Sequence, residues 1–273
     1  MSSEQRPLVV GAVSYDPAVV TIWEGFAEWF GRQGLPVDYV LYSNYERQVE
    51  ALLAGHIDVA WNSPLAWVQA RRAAEQQGRR VAAIAMRDTD RDLTSVVVVP
   101  REGPAEVADL AGRTVGVGAS DSPQATLLPL EHLRREGLDT EGLDVRHFDV
   151  LLGKHGDHVG GEEKAAQALA SGELDAACLN DSNYRRFVDE GLLPAGEFRV
   201  LTRTEPFDHC NFTIVVDEVP SDLVERFQDL LVEMSYDDPE LRLLFDMEGL
   251  RAWLPARTER YAALESAVDR TWL

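Results

Sequence analysis

The stretch Val49-Glu-Ala-Leu-Leu-Ala-Gly-His-Ile-Asp-Val-Ala-Trp61 decides the fold, because the chain uses the same plan twice. It aligns without gaps on Ala166-Gln-Ala-Leu-Ala-Ser-Gly-Glu-Leu-Asp-Ala-Ala-Cys178. Each copy has the pattern of a helix that ends at a glycine and is followed at once by a short apolar strand. A helix–strand unit that recurs at two distant places indicates two lobes of similar construction.

A second pair of segments supports this internal repeat. Residues 9–13 precede Ser14-Tyr-Asp-Pro, and residues 114–117 precede Gly118-Ala-Ser-Asp-Ser-Pro. Both have the pattern of a buried strand, a polar loop and a helix, with Asp or Ser before proline marking the helix start. The sequence therefore predicts an α/β protein of two lobes.

The order of these segments also predicts the domain organisation. The first lobe is expected to take residues 1–95 and 205–273, and the second lobe residues 96–204, with two crossovers joining them. The C-terminal stretch has helical patterns at residues 221–235, 239–246 and 258–272. Because these helices have no strands of their own to cover, they are expected to pack on the first lobe.

Open α/β sheets bind ligands outside the carboxyl ends of their strands. The loops that follow the predicted strands are therefore expected to border a ligand cleft between the lobes. These loops follow Val13, Ala60, Val117 and Ala177.

The loop after residue 117 combines small residues with hydroxyls. A helix start of this kind presents free N–H groups, and Ser120 and Ser122 add further donors, so the loop suits an anion. The alternative is an ordinary helix cap formed by Asp121 or Ser122, and an acid in the loop would oppose an anion.

In the first lobe, aromatic and polar residues follow the strands. They offer rings, hydroxyls and an amide, a mixture that suits a small polar ligand. Packing within the lobe is the alternative for each aromatic ring taken singly. The residues concerned are Tyr15, Tyr45, Trp61, Asn62 and Ser63.

Metal-capable side chains occur in two short loops, at His155 and His158 and at His209 and Cys210. Two imidazoles, a thiolate and a carboxylate would suit zinc or iron. Hydrogen bonding to a ligand and simple loop structure are the alternatives. A thiolate pair of His209 with Cys210 is not expected, because neighbours in a strand point to opposite faces.

Composition excludes one class of partner. The 273 residues carry 26 Lys and Arg against 47 Asp and Glu, a formal net charge of −21. Nucleic acids are bound by clusters of Lys and Arg, and none stands out here. No apolar run approaches the about 18–20 residues that cross a bilayer. The N-terminus lacks a basic segment followed by an apolar one, so a cytoplasmic location is expected, or a periplasmic or lipoprotein-anchored one if a leader has been removed.

Three stretches together resemble the phosphate/phosphite/phosphonate substrate-binding proteins of ABC transporters. They are Tyr45-Glu-Arg-Gln-Val-Glu-Ala-Leu-Leu-Ala-Gly-His-Ile-Asp-Val-Ala-Trp-Asn-Ser-Pro-Leu-Ala-Trp67, Ala105-Glu-Val-Ala-Asp-Leu-Ala-Gly-Arg-Thr-Val-Gly-Val117 and Gly249-Leu-Arg-Ala-Trp-Leu-Pro-Ala256. The resemblance implies a type II periplasmic-binding-protein fold that closes on a small anion, and an ABC permease as partner if the chain is exported. It implies ligand contacts at Tyr15, Tyr45, Asn62, Ser63, residues 120–122 and Asp181.

Two functions are compatible with these patterns. The first is the binding of a small anionic metabolite that carries a phosphonate, another oxyanion or a carboxylate. The second is a cytosolic enzyme of the same fold, of the lyase or decarboxylase type, in which a metal could assist. The enzyme would use His155, His158, His209 and Cys210.

Overall fold

The computed structural model describes residues 6–156 and 160–271. The chain forms two compact units. The first contains the chain up to Arg91 and Asp208–Glu259, and the second contains Asp92–Phe207 and the chain from Arg260 onward.

The described strands, in chain order, are β1 (Leu8–Val13), β2 (Val37–Tyr42), β3 (Val59–Asn62), β4 (Val81–Arg87), β5 (Ser95–Pro100), β6 (Thr114–Val117), β7 (Asp144–His147), β8 (Ala176–Asn180), β9 (Phe198–Arg203), β10 (Asn211–Val215) and β11 (Trp253–Pro255). The α-helices are α1 (Ala18–Arg32), α2 (Tyr45–Leu53), α3 (Pro64–Gln76), α4 (Leu128–Arg135), α5 (Gly161–Ala170), α6 (Asp181–Asp189), α7 (Ser221–Glu233), α8 (Pro239–Glu248) and α9 (Ala262–Thr271). A π-helical turn, Pro123–Leu127, leads into α4.

The first unit is built on a sheet of order β11-β4-β10-β3-β1-β2. β1 runs parallel to β2 and β3, whereas β10 and β11 run antiparallel to their neighbours. One face is covered by an aromatic core around Phe212, whose ring lies 6.0 Å from Trp23, 5.2 Å from Trp253 and 5.4 Å from Phe227. Burial of each such ring contributes about 1.5–3 kcal/mol.

The second unit is built on a sheet of order β7-β6-β8-β5-β9. β6 runs parallel to β7 and β8, and β5 runs antiparallel to β8 and β9. Val96 and Val98 belong to the apolar cluster on one face, whereas Val97 and Val99 belong to the cluster on the other. A near-continuous apolar strand such as β5 is typical of a sheet that is covered on both faces.

The predicted repeat appears as the same local structure in both units. β3 pairs with β1, and β8 pairs with β6, in the same parallel arrangement. Gly55 and Gly172, which end the preceding helices, have φ of +70° and +79°, a conformation that favours glycine.

The aspartates of the two copies also make equivalent contacts. The Asp58 carboxylate accepts the N–H of Val9 at 2.8 Å, and the Asp175 carboxylate accepts the N–H of Thr114 at 3.0 Å. In return, the N–H of Asp58 donates to the carbonyl of Val9 and that of Asp175 to the carbonyl of Thr114. Each aspartate therefore holds the start of a neighbouring strand.

The last helix corrects the expectation that all C-terminal helices pack on the first lobe. α7 and α8 do belong to the first unit, but α9 belongs to the second. It packs against α4, where the hydroxyl of Ser266 donates to the buried carboxylate of Glu131 at 2.9 Å. The chain therefore passes between the units three times rather than twice, after Arg91, Phe207 and Glu259.

Among the described residues, no helix combines the length and the apolar character that a membrane span requires.

Candidate functional site

The loops at the carboxyl ends of the first unit's strands contain the predicted aromatic residues. Tyr15 is half-buried and packs against the aromatic core. Tyr45 is the first residue of α2 and is only 2% exposed, packed in a cluster with Val13 and Val49. Asn44 caps this helix by accepting the N–H of Arg47 at 2.9 Å.

Trp61 is 5% exposed and belongs to the core of the first unit. Its ring lies 4.7 Å from Phe212 and 5.4 Å from Trp253. The Arg87 guanidinium stands 5.2 Å from its ring centroid, a cation–π contact. Trp61 therefore packs within its own unit.

Asn62 lies at the centre of a buried chain of hydrogen bonds. Its Oδ1 accepts from Gln48 Nε2 at 2.8 Å, and its Nδ2 donates to Thr213 Oγ1 at 2.9 Å. The Thr213 hydroxyl donates onward to Asn211 Oδ1 at 2.7 Å. Ser63 follows as the cap of α3, accepting the N–H of Ala66. Asn62 and Ser63 thus fix the backbone at the end of β3, where a ligand contact is predicted.

In the second unit, the loop after β6 has donors that are already engaged. Ser120 is exposed, and its N–H donates to Asp149 Oδ1 at 2.8 Å. This hydrogen bond holds the pKa of Asp149 below its usual value. Ser122 caps the π-helical turn by accepting the N–H of Ala125 at 3.2 Å, as the capping alternative predicts.

Asp121 organises a second loop. Its carboxylate accepts the N–H of Gly153 at 2.6 Å. Desolvation raises the pKa of Asp121. It outweighs the lowering of this pKa by the nearby charge of His155 and by the backbone N–H groups of Gly153, His155 and Asp121. His155 is buried and has φ of +53°, and Gly156 lies so close that a Cβ there would meet Ser122 Oγ at 2.5 Å. His158 lies outside the described residues.

Asp181 begins α6 and is 8% exposed. Its carboxylate is paired with Arg185 and Arg203, each at 2.5 Å. Nearby, the buried Glu162 accepts the N–H of Asn180 at 2.7 Å. Desolvation, and secondarily the charge of Glu162, raises the pKa of the Cys178 thiol to about 12, so this thiol stays protonated.

The structure brings His209 and Cys210 together with an acid that sequence reasoning missed. Cys210 Sγ lies 3.1 Å from His209 Nδ1, and Asp90 Oδ1 lies 3.4 Å from the same nitrogen. The expectation that the two neighbours point apart is wrong, because they precede β10 rather than lie within it. Asp90 is remote in sequence from both, and no local pattern marks it. Of the predicted metal-ligating residues, His155 lies in the second unit, whereas His209 and Cys210 group with Asp90 in the first.

These features define a class of protein: two α/β units, each with a parallel strand–helix repeat and polar loops at its strand ends. The model of the family described as "ABC transporter, phosphonate, periplasmic substrate-binding protein" matches residues 10–261. The chain belongs to this family.

Individual relatives and solved structures agree with this assignment. The chain is 24% identical to the phosphate-import protein PhnD of Mycolicibacterium smegmatis over 199 residues, a match that covers 70% of this chain and 58% of that protein. The structure of PhnD1 from Prochlorococcus marinus in complex with methylphosphonate is similar, with a TM-score of 0.69 at 18% identity over 96% of this chain and 97% of that one. XAC2383 from Xanthomonas citri, solved with ATP bound, gives a TM-score of 0.74 at 17% identity over 97% and 98%.

The structural matches show the fold, a type II periplasmic-binding-protein fold. The family and its relatives are binding proteins, and nothing in these comparisons supports the lyase or decarboxylase alternative.

Proposed function

We propose that this chain is the substrate-binding component of an ABC importer and that its ligand is a small oxyanion of the phosphonate or phosphate type. The observation that carries the proposal is the family match across residues 10–261, which includes the strand-end loops of both units. The relatives bind ligands of this class according to their names: a phosphate-import protein and a protein in complex with methylphosphonate.

The loop after β6 supports an oxyanion in particular. The N–H of Ser120 holds a carboxylate oxygen, that of Asp149, at 2.8 Å. This N–H therefore already has an oxyanion as its partner, beside an exposed serine hydroxyl. A ligand oxyanion would take the place of Asp149, and the loop would lose no hydrogen bond.

Calorimetry and thermal denaturation with methylphosphonate, inorganic phosphate, sulfate, methanesulfonate and acetate test the proposal. A true ligand raises the melting temperature in proportion to the logarithm of its concentration. We expect methylphosphonate or phosphate to do so at lower concentration than acetate. A flat response to all five oxyanions would overturn the proposal.

Tyr45→Phe tests whether the Tyr45 hydroxyl of the first unit contacts the ligand. The substitution keeps the buried ring and removes only the hydroxyl, so the fold should be kept while oxyanion affinity falls. Tyr236→Phe is the matched control, because the Tyr236 hydroxyl bonds Asp246 at the surface of the same unit. Equal affinities in the two variants would exclude a ligand contact by Tyr45.

An ABC permease is the proposed partner. A permease receives its substrate-binding protein outside the cytoplasmic membrane, so the proposal requires export of the chain. Cell fractionation of the native producer should place the protein outside that membrane. Recovery in the cytoplasm alone would remove the permease from the proposal, while the oxyanion tests above would stand unchanged.

A further inference from the structure

We propose that Asp90, His209 and Cys210 form a binding site for one divalent transition-metal ion, zinc above all. The site lies wholly within the first unit. Its test does not depend on the proposed oxyanion contacts.

The donor atoms are grouped as a metal requires. One oxygen, one nitrogen and one sulfur of the three side chains all lie within 4.8 Å of one another. With ordinary zinc–ligand bond lengths, a tetrahedral site needs about 3.4 Å between nitrogen and oxygen and about 3.6 Å between sulfur and nitrogen. The observed 3.4 Å from His209 Nδ1 to Asp90 Oδ1 meets the first value. The observed 3.1 Å from Nδ1 to Cys210 Sγ needs an opening of about 0.5 Å to meet the second.

The three side chains are held in place before any metal arrives. The side chains of Asp90 and His209 are 2% and 9% exposed, and Cys210 is 1% exposed. The backbone N–H of His209 donates to the carbonyl of Asp90 at 2.8 Å, which ties the two segments together. Little side-chain entropy is left to lose on binding, so most of the coordination energy would appear as affinity.

Arg87 orients the carboxylate. Its Nε donates to Asp90 Oδ2 at 2.6 Å and its Nη2 to Oδ1 at 2.8 Å. Arg87 is itself anchored by the carbonyl and the carboxylate of Glu248. A carboxylate has about two acceptor positions on each oxygen, and this fork uses one on each. On Oδ1, the other position faces His209 Nδ1 at 3.4 Å, which is where a shared metal ion would lie. In metal sites, residues that hydrogen-bond to the metal ligands, as Arg87 does to Asp90, fix the orientation of those ligands.

The charges are compatible with a dication. The Asp90 carboxylate and a Cys210 thiolate supply two negative charges, which match the two positive charges of the ion. The positive charge of Arg87 is balanced by the Glu248 carboxylate, whose Oε1 lies 3.1 Å from Arg87 Nη1. When the ion binds, the thiol releases its proton to solvent and neutral His209 coordinates through Nδ1.

The donor set selects the type of metal. A thiolate with an imidazole suits zinc and cobalt, whereas magnesium and calcium prefer all-oxygen sites.

Cobalt(II) titration of the reduced, full-length protein tests the site through its own colour. We expect one equivalent to produce the absorption of a thiolate-to-cobalt charge transfer, and one equivalent of zinc to abolish it. Cys210→Ser should lose this band. Cys178→Ser is the matched control and should keep it, because Cys178 is equally buried in the other unit and lies outside this group.

Zinc-edge X-ray absorption of the unmodified protein keeps the test independent of how the variants fold. The expected first shell has one sulfur at about 2.3 Å and nitrogen or oxygen at about 2.0–2.2 Å. Failure to retain zinc against a weak chelator, a first shell without sulfur, or a charge-transfer band that persists in Cys210→Ser would each overturn the proposal.

Discussion

Asp58 and Asp175 show at the residue scale how one side chain can start a strand. Each carboxylate accepts the backbone N–H of a neighbouring strand, and each also pairs with an arginine, Arg6 at 2.7 Å and Arg113 at 3.2 Å. The two differ in burial, because the Asp58 side chain is 9% exposed and that of Asp175 is 35% exposed. A charged hydrogen bond is worth more where water competes less for its atoms.

Asp58→Asn and Asp175→Asn should therefore both destabilise the protein, and unequally. We expect a loss of about 1.5–3 kcal/mol in the free energy of unfolding for Asp58→Asn and about 0.5–1.5 kcal/mol for Asp175→Asn. Urea denaturation at neutral pH measures both. Asp189→Asn, which changes an exposed acid on α6 in the same way, should stay near the parent value. A larger loss at Asp175 than at Asp58 would contradict the argument from burial.

Asp149 is expected to affect ligand affinity, because its carboxylate accepts the N–H of Ser120 that is proposed to bind the oxyanion. In Asp149→Ala a bound oxyanion no longer has to displace a carboxylate. The exposed ion–dipole contact that is lost is worth about 0.5–1 kcal/mol, so affinity should rise about two- to fivefold by calorimetry.

The control for this effect is Asp189→Ala, which removes the same charge from another exposed position of the unit. Equal gains in both variants would show that net charge is responsible rather than the Ser120 contact. A weaker affinity in Asp149→Ala would show that Asp149 supports the bound ligand instead of competing with it.

At the element scale, a buried acid on α4 helps to hold α9 in the second unit. The side chain of Glu131 is 3% exposed and accepts hydrogen bonds from Arg134, Arg135 and Ser266. Desolvation raises the pKa of Glu131, but the hydrogen bonds together outweigh it and hold the pKa at about 2. The carboxylate is therefore stabilised by folding.

The sign of the pH dependence follows from this lowered pKa. The contribution of Glu131 is complete above the unfolded value of 4.5 and is lost as the pH falls toward about 2. Glu131→Gln should lower the free energy of unfolding by about 1–3 kcal/mol at pH 7. The difference from the parent should shrink between pH 4.5 and 2. Chemical denaturation over this range, with Glu141→Gln as the exposed control, measures it. A difference that is constant with pH would exclude the carboxylate as its source.

At the scale of the whole molecule, the second unit is completed by the end of the chain. α9 lies far in sequence from the rest of this unit and packs against α4. Its residues Leu264 and Val268 are buried, at 1% and 4% exposed. Exposed acids on helices, such as Glu225 and Asp229 of α7, and in loops contribute to the net charge of −21. The net charge therefore describes the surface of the protein rather than its proposed ligand contacts.

Ending the chain after Glu259 should destabilise the second unit selectively. Hydrogen exchange should show faster exchange in α4, whose covering helix is gone, while β1 and β3 of the first unit keep their protection. The full-length chain in the same buffer is the reference. Unchanged protection of α4 would show that α9 contributes nothing to this unit.

The sequence by itself determined the α/β class, the internal repeat and the positions of the polar loops that follow strands and begin helices. These features are encoded locally: apolar periodicity, the glycines at residues 55 and 172, and Asp or Ser before proline act over a few neighbouring residues. The capping role of Ser122 could be predicted for the same reason.

Only the tertiary structure decided which distant residues meet. Asp90 joins His209 and Cys210, Asp149 takes the N–H of Ser120, and α9 covers α4. In each case the order of the strands in the sheet and the path of the chain bring together residues that are far apart in sequence. Such contacts leave no periodicity or characteristic spacing in the amino-acid sequence. Local chemistry therefore specified the elements, and long-range packing specified the side-chain groups that they assemble.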